Sequence, residues 1–312
     1  MHPATVKHLA ILIVYSLAMA GTAQADTFTL PPADVDVVGQ IQHITAHRDE
    51  TLLDLARDFD LGQQEILLAN PEVDRWLPKE NSVVVLPRRF IIPRAERRGL
   101  ILNLPEMRLY YFPDPKLTES PVMITHPVSV GRMDWETPLG MTTITSKQKD
   151  PSWTPPQSLK EEALADGNIL PDVVPAGPDN PLGRYAMRLG LPGYLIHSTN
   201  KPYGVGMRVT HGCVRMYPED IEKLFDQIPV STPVQIVNQP VKVGWLAGAL
   251  FLEVHPYMDE DLEKDSDLTQ RVLNVIADAI AESGTNRQVA LSGRAIRTAI
   301  EEQNGIPILI SR

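Results

Sequence analysis

Tyr194-Leu195-Ile196-His197-Ser198-Thr199-Asn200, followed by Thr210-His211-Gly212-Cys213-Val214-Arg215-Met216, decides how this chain is read. The first stretch is a short apolar run with the character of a strand, and it ends on a histidine. The second carries the only cysteine of the chain, directly after a glycine. The separation is long enough for the chain to reverse and bring the imidazole beside the thiol. A free thiol has a pKa of ~8.5 and is mostly protonated at neutral pH. A neighbouring imidazole takes that proton and makes sulfur a nucleophile. The imidazole then needs a carbonyl on its second nitrogen to fix its tautomer. It also needs an oxyanion site, which backbone amides at a tight turn can supply. Gly212 suits such a turn, because it tolerates unusual dihedrals and close approach. The competing reading is a metal centre built from His197, His211 and Cys213. Their spacing is not that of zinc ligands and carboxylates are scarce nearby, so neither a metal nor any other cofactor is expected here. His211 itself reads as a supporting group or a turn residue.

The lone thiol gains meaning from the N-terminus. Lys7 and His8 precede an apolar run from Leu9 to Ala20, and Ala23-Gln24-Ala25 follows. That is the pattern of a cleavable secretory signal over residues 1–25, too short to span a bilayer comfortably. In an oxidising compartment a single cysteine cannot pair internally and is a liability unless it is used. The formal net charge of −10 becomes one unit more negative when the signal is removed. Nucleic acid and anionic membranes are therefore poor partners. No later segment is long and apolar enough to be an integral membrane span.

Residues 26–39 are acidic and proline-containing and read as a linker. Residues 40–87 read as a small unit of order strand, helix, helix, strand. Its first helix has apolar positions Leu52, Leu55, Ala56 and Phe59, with Asp49 as its expected N-cap; the second runs Gln64 to Leu68 and stops at Asn70-Pro71. Within residues 98–237, two strand-like runs flank Pro105-Glu106-Met107 as a hairpin. Further strands are expected at Val122–Val130, Met141–Thr145 and Val234–Val237. A proline-rich excursion from Lys147 to Arg184 interrupts this β-rich domain, with a helix expected to open on the capping box Ser158-Leu159-Lys160-Glu161. Residues 238–312 combine a strand with helices over Leu268–Glu282 and Gly293–Gln303, with no visible chemistry.

Two family resemblances rest on these residues. Thr51-Leu52, Ala56, Asn70-Pro71 and Val85-Leu86-Pro87 resemble a LysM module, although the usual opening glycine is missing before Asp49-Glu50-Thr51-Leu52. The resemblance implies binding of N-acetylglucosamine-containing glycans near Arg48 to Leu52 and Ala69 to Asp74, with Thr51, Leu52, Asn70 and Pro71 as contacts. His197 with Thr210-His211-Gly212-Cys213-Val214-Arg215 resembles the active-site signature of the L,D-transpeptidases, the YkuD-type catalytic domain. Thr137-Pro138-Leu139-Gly140, Trp153-Thr154-Pro155-Pro156 and Gly177-Pro178-Asp179-Asn180-Pro181 also match. The implied fold is α+β: a βααβ module, a β-rich catalytic domain of mixed β-sandwich type, and a partly helical C-terminal region.

The resemblance implies that Cys213 attacks the meso-diaminopimelate carbonyl of a peptidoglycan tetrapeptide stem. D-Alanine leaves, and the acyl group passes to an amine. That amine is either a lysine of an outer-membrane lipoprotein or a second stem, which gives a 3-3 cross-link. His197 would be the base, the Ser198 carbonyl its orienting partner, and the Gly212 and Cys213 amides the oxyanion site. Arg215 would meet a substrate carboxylate, and Tyr203, Trp153 and Asn180 would shape the cleft. The expected location is the periplasm. A hydrolytic cysteine peptidase and a non-catalytic wall-binding protein are the rival classes.

Overall fold

The computed structural model describes residues 26–311 apart from 48, 117, 119, 133–134, 259–260, 262–266 and 285–287. The signal-like segment 1–25 and Arg48 lie outside the described residues.

Residues 26–39 differ from the linker expected. They carry β1 (Asp26–Thr29) and β2 (Val37–Gly39). Phe28 and Val38 pack into an apolar cluster with Phe90, Tyr110 and Met123, a long-range burial that the flanking prolines disguise. The βααβ unit follows as β3 (Gln42–Thr45), α1 (Leu52–Asp58), α2 (Gln63–Ala69) and β4 (Val83–Leu86), with β3 and β4 antiparallel. Thr51, not Asp49, caps α1: its Oγ1 accepts from the Asp54 amide at 3.1 Å, and Asp54 Oδ2 accepts from the Thr51 amide at 3.0 Å. This reciprocal pairing satisfies two amides that the helix leaves free. Leu52, Leu55 and Ala56 then face Ile66, Val84 and Leu86 in the unit's own core.

After β5 (Arg89–Ile91), which pairs with β2, come β6 (Gly99–Asn103), β7 (Arg108–Phe112), β8 (Val122–Pro127) and the short β9 (Val130–Gly131). Next are β10 (Gly140–Lys149), α3 (Gln157–Ala165), β11 (Tyr185–Leu189), β12 (Leu195–His197), β13 (Arg208–Thr210) and β14 (Val214–Arg215). The helix α4 (Pro218–Gln227) and β15 (Pro233–Val237) complete the domain. Nine strands form one mixed sheet in the order β1-β8-β7-β6-β15-β10-β11-β12-β14. The expected sandwich is thus one continuous sheet that turns on itself. β10 makes the turn: Gly140–Thr143 pair with β15, a register shift falls between Ile144 and Ser146, and its second half pairs with β11. A bulge of this kind bends a strand and raises its twist. One core lies between the two halves, joining Leu100, Leu102 and Leu109 to Met187, Ile196 and Val214, with Ile221 and Leu224 of α4. β6 and β7 are buried along their whole length because β2 and β5 cover the opposite face.

The excursion spans residues 150–184, since β10 extends through Lys149 and takes in its first three expected residues. Its helix α3 begins at Gln157 after Pro156, with no side-chain cap, so the Ser158 capping box does not form. The C-terminal region is a small α+β layer: β16 (Val241–Leu246), β17 (Ala249–Val254), α5 (Leu268–Glu282), α6 (Gly293–Glu302) and β18 (Ile308–Leu309). Both helices lay apolar stripes, Val272-Ile276-Ala279 and Ile296-Ala299, on this three-stranded sheet.

The βααβ unit is locked to the catalytic sheet. Arg108 on β7, fully buried, forms a bidentate pair with Glu65 of α2 at 2.7 and 2.9 Å and reaches the Asp60 carbonyl at 3.0 Å. Arg57 makes a second bidentate pair with Glu219 of α4 at 2.7 and 3.0 Å. Backbone bonds from Gln63 to Val205 and from Gln64 to Gly206 finish the seam. A Cβ on Gly206 would lie 2.3 Å from the Gln63 nitrogen, so glycine is required there.

Candidate active site

The two stretches that opened the sequence reading become neighbouring strands. β12 and β14 pair in parallel, with Ile196 opposite Val214 and His197 opposite Arg215. The Met216 amide donates to the His197 carbonyl at 2.9 Å. A parallel pair needs a crossover, and residues 198–213 supply it through a 3-10 turn at Pro202–Gly204 and strand β13. Cys213 directly precedes β14, and the Arg215 guanidinium acts on both its thiol and the His197 imidazole.

His197 is buried, and its Nδ1 lies 2.6 Å from the Ser198 carbonyl oxygen. A carbonyl only accepts, so Nδ1 carries the proton and Nε2 keeps its lone pair. Burial, helped by the nearby Arg215 guanidinium, pulls the imidazole pKa down to about 4. Burial also pushes the Cys213 thiol up, with Arg215 and Arg188 working the other way. The resting pair is therefore neutral thiol and neutral imidazole, not the thiolate–imidazolium pair that the residue types alone suggest.

The turn before the thiol is tightly specified. Gly212 has φ +89°, and a Cβ there would lie 2.5 Å from Tyr194 Cε1. Thr137 Oγ1 donates to the Gly212 carbonyl at 2.9 Å and accepts from the Gly131 amide at 3.2 Å. Thr210 Oγ1 donates to the Cys213 carbonyl. With those carbonyls held, the Gly212 and Cys213 amides donate to no other group among the described residues. Two such amides beside a thiol are the donor set that an oxyanion would need. Burial lowers the Arg215 pKa, and no carboxylate pairs with its side chain among the described residues.

The other expected site residues have different places. His211 turns to the excursion: its Nε2 lies 2.8 Å from Glu162 Oε2 of α3 and its ring 5.2 Å from that of Trp135. Arg132 joins the same carboxylate through Oε1. Glu162 and Arg132 thus latch the excursion over the turn that bears Cys213; neither is visible in sequence, because the contact is purely tertiary. Asn180 is fully buried and cannot meet substrate; its amide donates to the carbonyls of Pro151 and Pro175, and its oxygen accepts from the Leu182 amide. Trp153 is half-buried and exchanges two 2.8 Å backbone bonds with Val174. Both residues hold the excursion in shape. Tyr203 is exposed and donates to Asp54 Oδ1 at 3.2 Å, touching the βααβ unit.

In that unit, Leu52 is fully buried in the core and Asn70 is spent on the fold. Asn70 donates to the Ile66 and Val85 carbonyls and accepts from the Val85 amide, all at 2.7–2.8 Å. Thr51 is engaged as the helix cap. Only Pro71 of the four expected contacts is exposed. The sequence reading passed over Trp76, which lies in the same α2–β4 loop and is 64% exposed. Asp74 Oδ1 accepts from the Trp76 and Leu77 amides, and the Leu52 amide bonds the Arg75 carbonyl, joining this loop to the one before α1.

Comparison with known proteins shows the family of the chain. The family model for the L,D-transpeptidase catalytic domain (YkuD) matches residues 97–236. The chain is 37% identical over 311 residues to the probable L,D-transpeptidase ErfK/SrfK of Escherichia coli K12, covering 98% of this chain and 97% of that protein. It is 34% identical to the probable L,D-transpeptidase YcfS of the same strain, covering 95% and 92%. It is 41% identical to the probable L,D-transpeptidase YbiS, again of that strain, covering 79% and 81%. Among solved structures, the catalytic domain of the Enterococcus faecium L,D-transpeptidase aligns at TM-score 0.34 and 20% identity, covering 46% of this chain and all of that one.

Proposed function

The chain belongs to the L,D-transpeptidase family, and from that premise we propose that Cys213 is its nucleophile and His197 its base on the stem peptides of peptidoglycan. The observation that carries this reading is the parallel β12–β14 pair, which brings the Nδ1-pinned imidazole and the thiol under the influence of the same Arg215 guanidinium. His197 Nε2 takes the thiol proton as sulfur attacks the meso-diaminopimelate carbonyl. The carbonyl oxygen becomes an oxyanion facing the Gly212 and Cys213 amides. As the C–N bond to D-alanine breaks, His197 returns the proton to the leaving amine, and a thioester remains. An acceptor amine then attacks, gives its proton to His197, forms the new amide and releases the thiol. The acceptor is a lipoprotein lysine or the side-chain amine of a second stem. The Arg215 guanidinium, lacking a protein carboxylate, suits a carboxylate of the stem.

The βααβ unit is assigned as a LysM-type module for the glycan strand, with Pro71 and Trp76 rather than Leu52 and Asn70 as sugar-facing groups. Exposed aromatic faces suit sugar rings, and buried amides cannot reach them. The site is assigned to the periplasm, where residues 1–25 would direct the chain. No helix among the described residues is long and apolar enough to cross a membrane.

Incubation with a carbapenem followed by intact-mass measurement tests the nucleophile. One covalent adduct is expected on the wild type and none on Cys213→Ala. A folded wild type that stays unmodified overturns the assignment.

A further inference from the structure

Three side chains that the catalytic site does not use meet at the seam between the βααβ unit and the main sheet. Asp60 lies between α1 and α2, His126 on β8, and Asp220 in the first turn of α4. Each is about 1% exposed. His126 Nδ1 is 3.3 Å from Asp60 Oδ2 and 3.5 Å from Asp220 Oδ2, and one ligand atom from each residue lies within 4.8 Å of the other two. Yet both Asp60 carboxylate oxygens, Asp220 Oδ2 and His126 Nδ1 complete no hydrogen bond. Buried carboxylates are costly unless paired, hydrogen-bonded or bound to a metal.

A second buried cluster in the same chain shows the ordinary solution. There the Lys242 ammonium sits 2.8 Å from Glu106 and 2.6 Å from Glu253, and Glu253 also takes His255 and the Ile91 amide. At the seam the Arg108 guanidinium makes its hydrogen bonds to Glu65 and to the Asp60 backbone carbonyl, so among the described residues His126 is left as the one cation in contact with the two carboxylates. The two spacings from His126 Nδ1 to the carboxylates are also those of a ligand shell. Zinc with N and O ligands at ~2.0–2.1 Å in a tetrahedron separates neighbouring ligand atoms by ~3.3–3.5 Å. A divalent ion with two carboxylates and a neutral imidazole is charge-balanced.

We propose that Asp60, His126 and Asp220 form a structural site for a divalent transition-metal ion of the zinc class. One ligand comes from the βααβ unit and two from the catalytic domain, so the ion would staple the first to the second. The staple would fix the unit's orientation on the domain that carries Cys213.

The test uses the full mature chain in a Cys213→Ser background, which removes the thiol as a competing ligand. The protein is refolded from denaturant with zinc or with a chelator, desalted, and analysed for metal content and melting temperature. The site predicts one zinc per chain after refolding with zinc. It also predicts a melting temperature at least ~3 °C above the chelator-refolded sample, as for any ligand that binds only the folded state. Asp60→Asn and His126→Gln should each lose the ion and the shift, while Glu162→Gln, which removes the exposed carboxylate at His211, keeps both. No retained zinc and identical melting in the parent protein overturn the proposal. So does an ion that persists in both Asp60→Asn and His126→Gln.

Discussion

Alkylation of Cys213 should follow the pH dependence of an ordinary or weakened thiol, not of a pre-formed ion pair. The perturbation is pH itself, from 5 to 10, with iodoacetamide as the probe. Burial and Arg215 hold the His197 imidazole at about 4, and burial holds the thiol up. The drop of the imidazole from its ordinary ~6.5 to about 4 by itself adds about 3 kcal/mol to the cost of moving the proton from sulfur to Nε2. Burial of the thiol works in the same direction, softened by water at its part-exposed sulfur. The thiol therefore stays protonated at neutral pH. The second-order rate should rise close to tenfold per pH unit through neutrality and level off only in the alkaline range of an ordinary thiol or beyond. His197→Gln should leave the high-pH rate within a few-fold of wild type while abolishing turnover, because the imidazole acts during attack rather than before it. A flat, fast alkylation rate from pH 5 to 8 would refute the neutral-pair reasoning and point to a resident thiolate.

Three further outcomes follow from the same geometry. The depressed pKa of His197 favours its neutral form in the folded chain. Stability that is full above pH ~6.5 should therefore fall by about 3 kcal/mol as pH drops to 4, and the difference between wild-type and His197→Gln denaturation curves should isolate this loss. Arg108→Met leaves Glu65 charged and buried, and should cost about 3–5 kcal/mol in urea denaturation; Asn70→Ala strands the Val85 amide and should cost about 2–3 kcal/mol, with sacculus binding of the folded remainder retained. Glu162→Ala releases the latch on His211 and Arg132, so limited proteolysis within residues 150–184 should become several-fold faster with the melting temperature little changed.

The chemistry was legible because its parts are local. His197 ends one strand and Cys213 directly precedes its parallel neighbour after one crossover, and Gly212 fixes the turn before the thiol. The hairpin of β6 and β7 was legible for the same reason: apolar runs flank a turn. Distant partners set the rest. β1 reads as linker until β8 offers it an edge. Asn70 and Asn180 read as contact residues, because an asparagine that bonds backbone far away in sequence looks like one that bonds a ligand. Thr51 rather than Asp49 caps α1, since the helix starts two residues later than the acidic run suggests. Pro218 with Glu219 and Asp220 carries a helix-start signal for α4, yet the sequence reading assigns no element to that stretch. Asp60, His126 and Asp220 lie so far apart in sequence that no spacing rule could join them.

The most direct test of the central claim is to incubate the purified mature chain with a disaccharide-tetrapeptide and measure free D-alanine together with the mass of the protein. The account predicts D-alanine release by the wild type, an acyl-enzyme whose added mass maps to Cys213, and neither signal from Cys213→Ala. D-Alanine release that survives Cys213→Ala, or an acyl group mapped to any other residue, would contradict it.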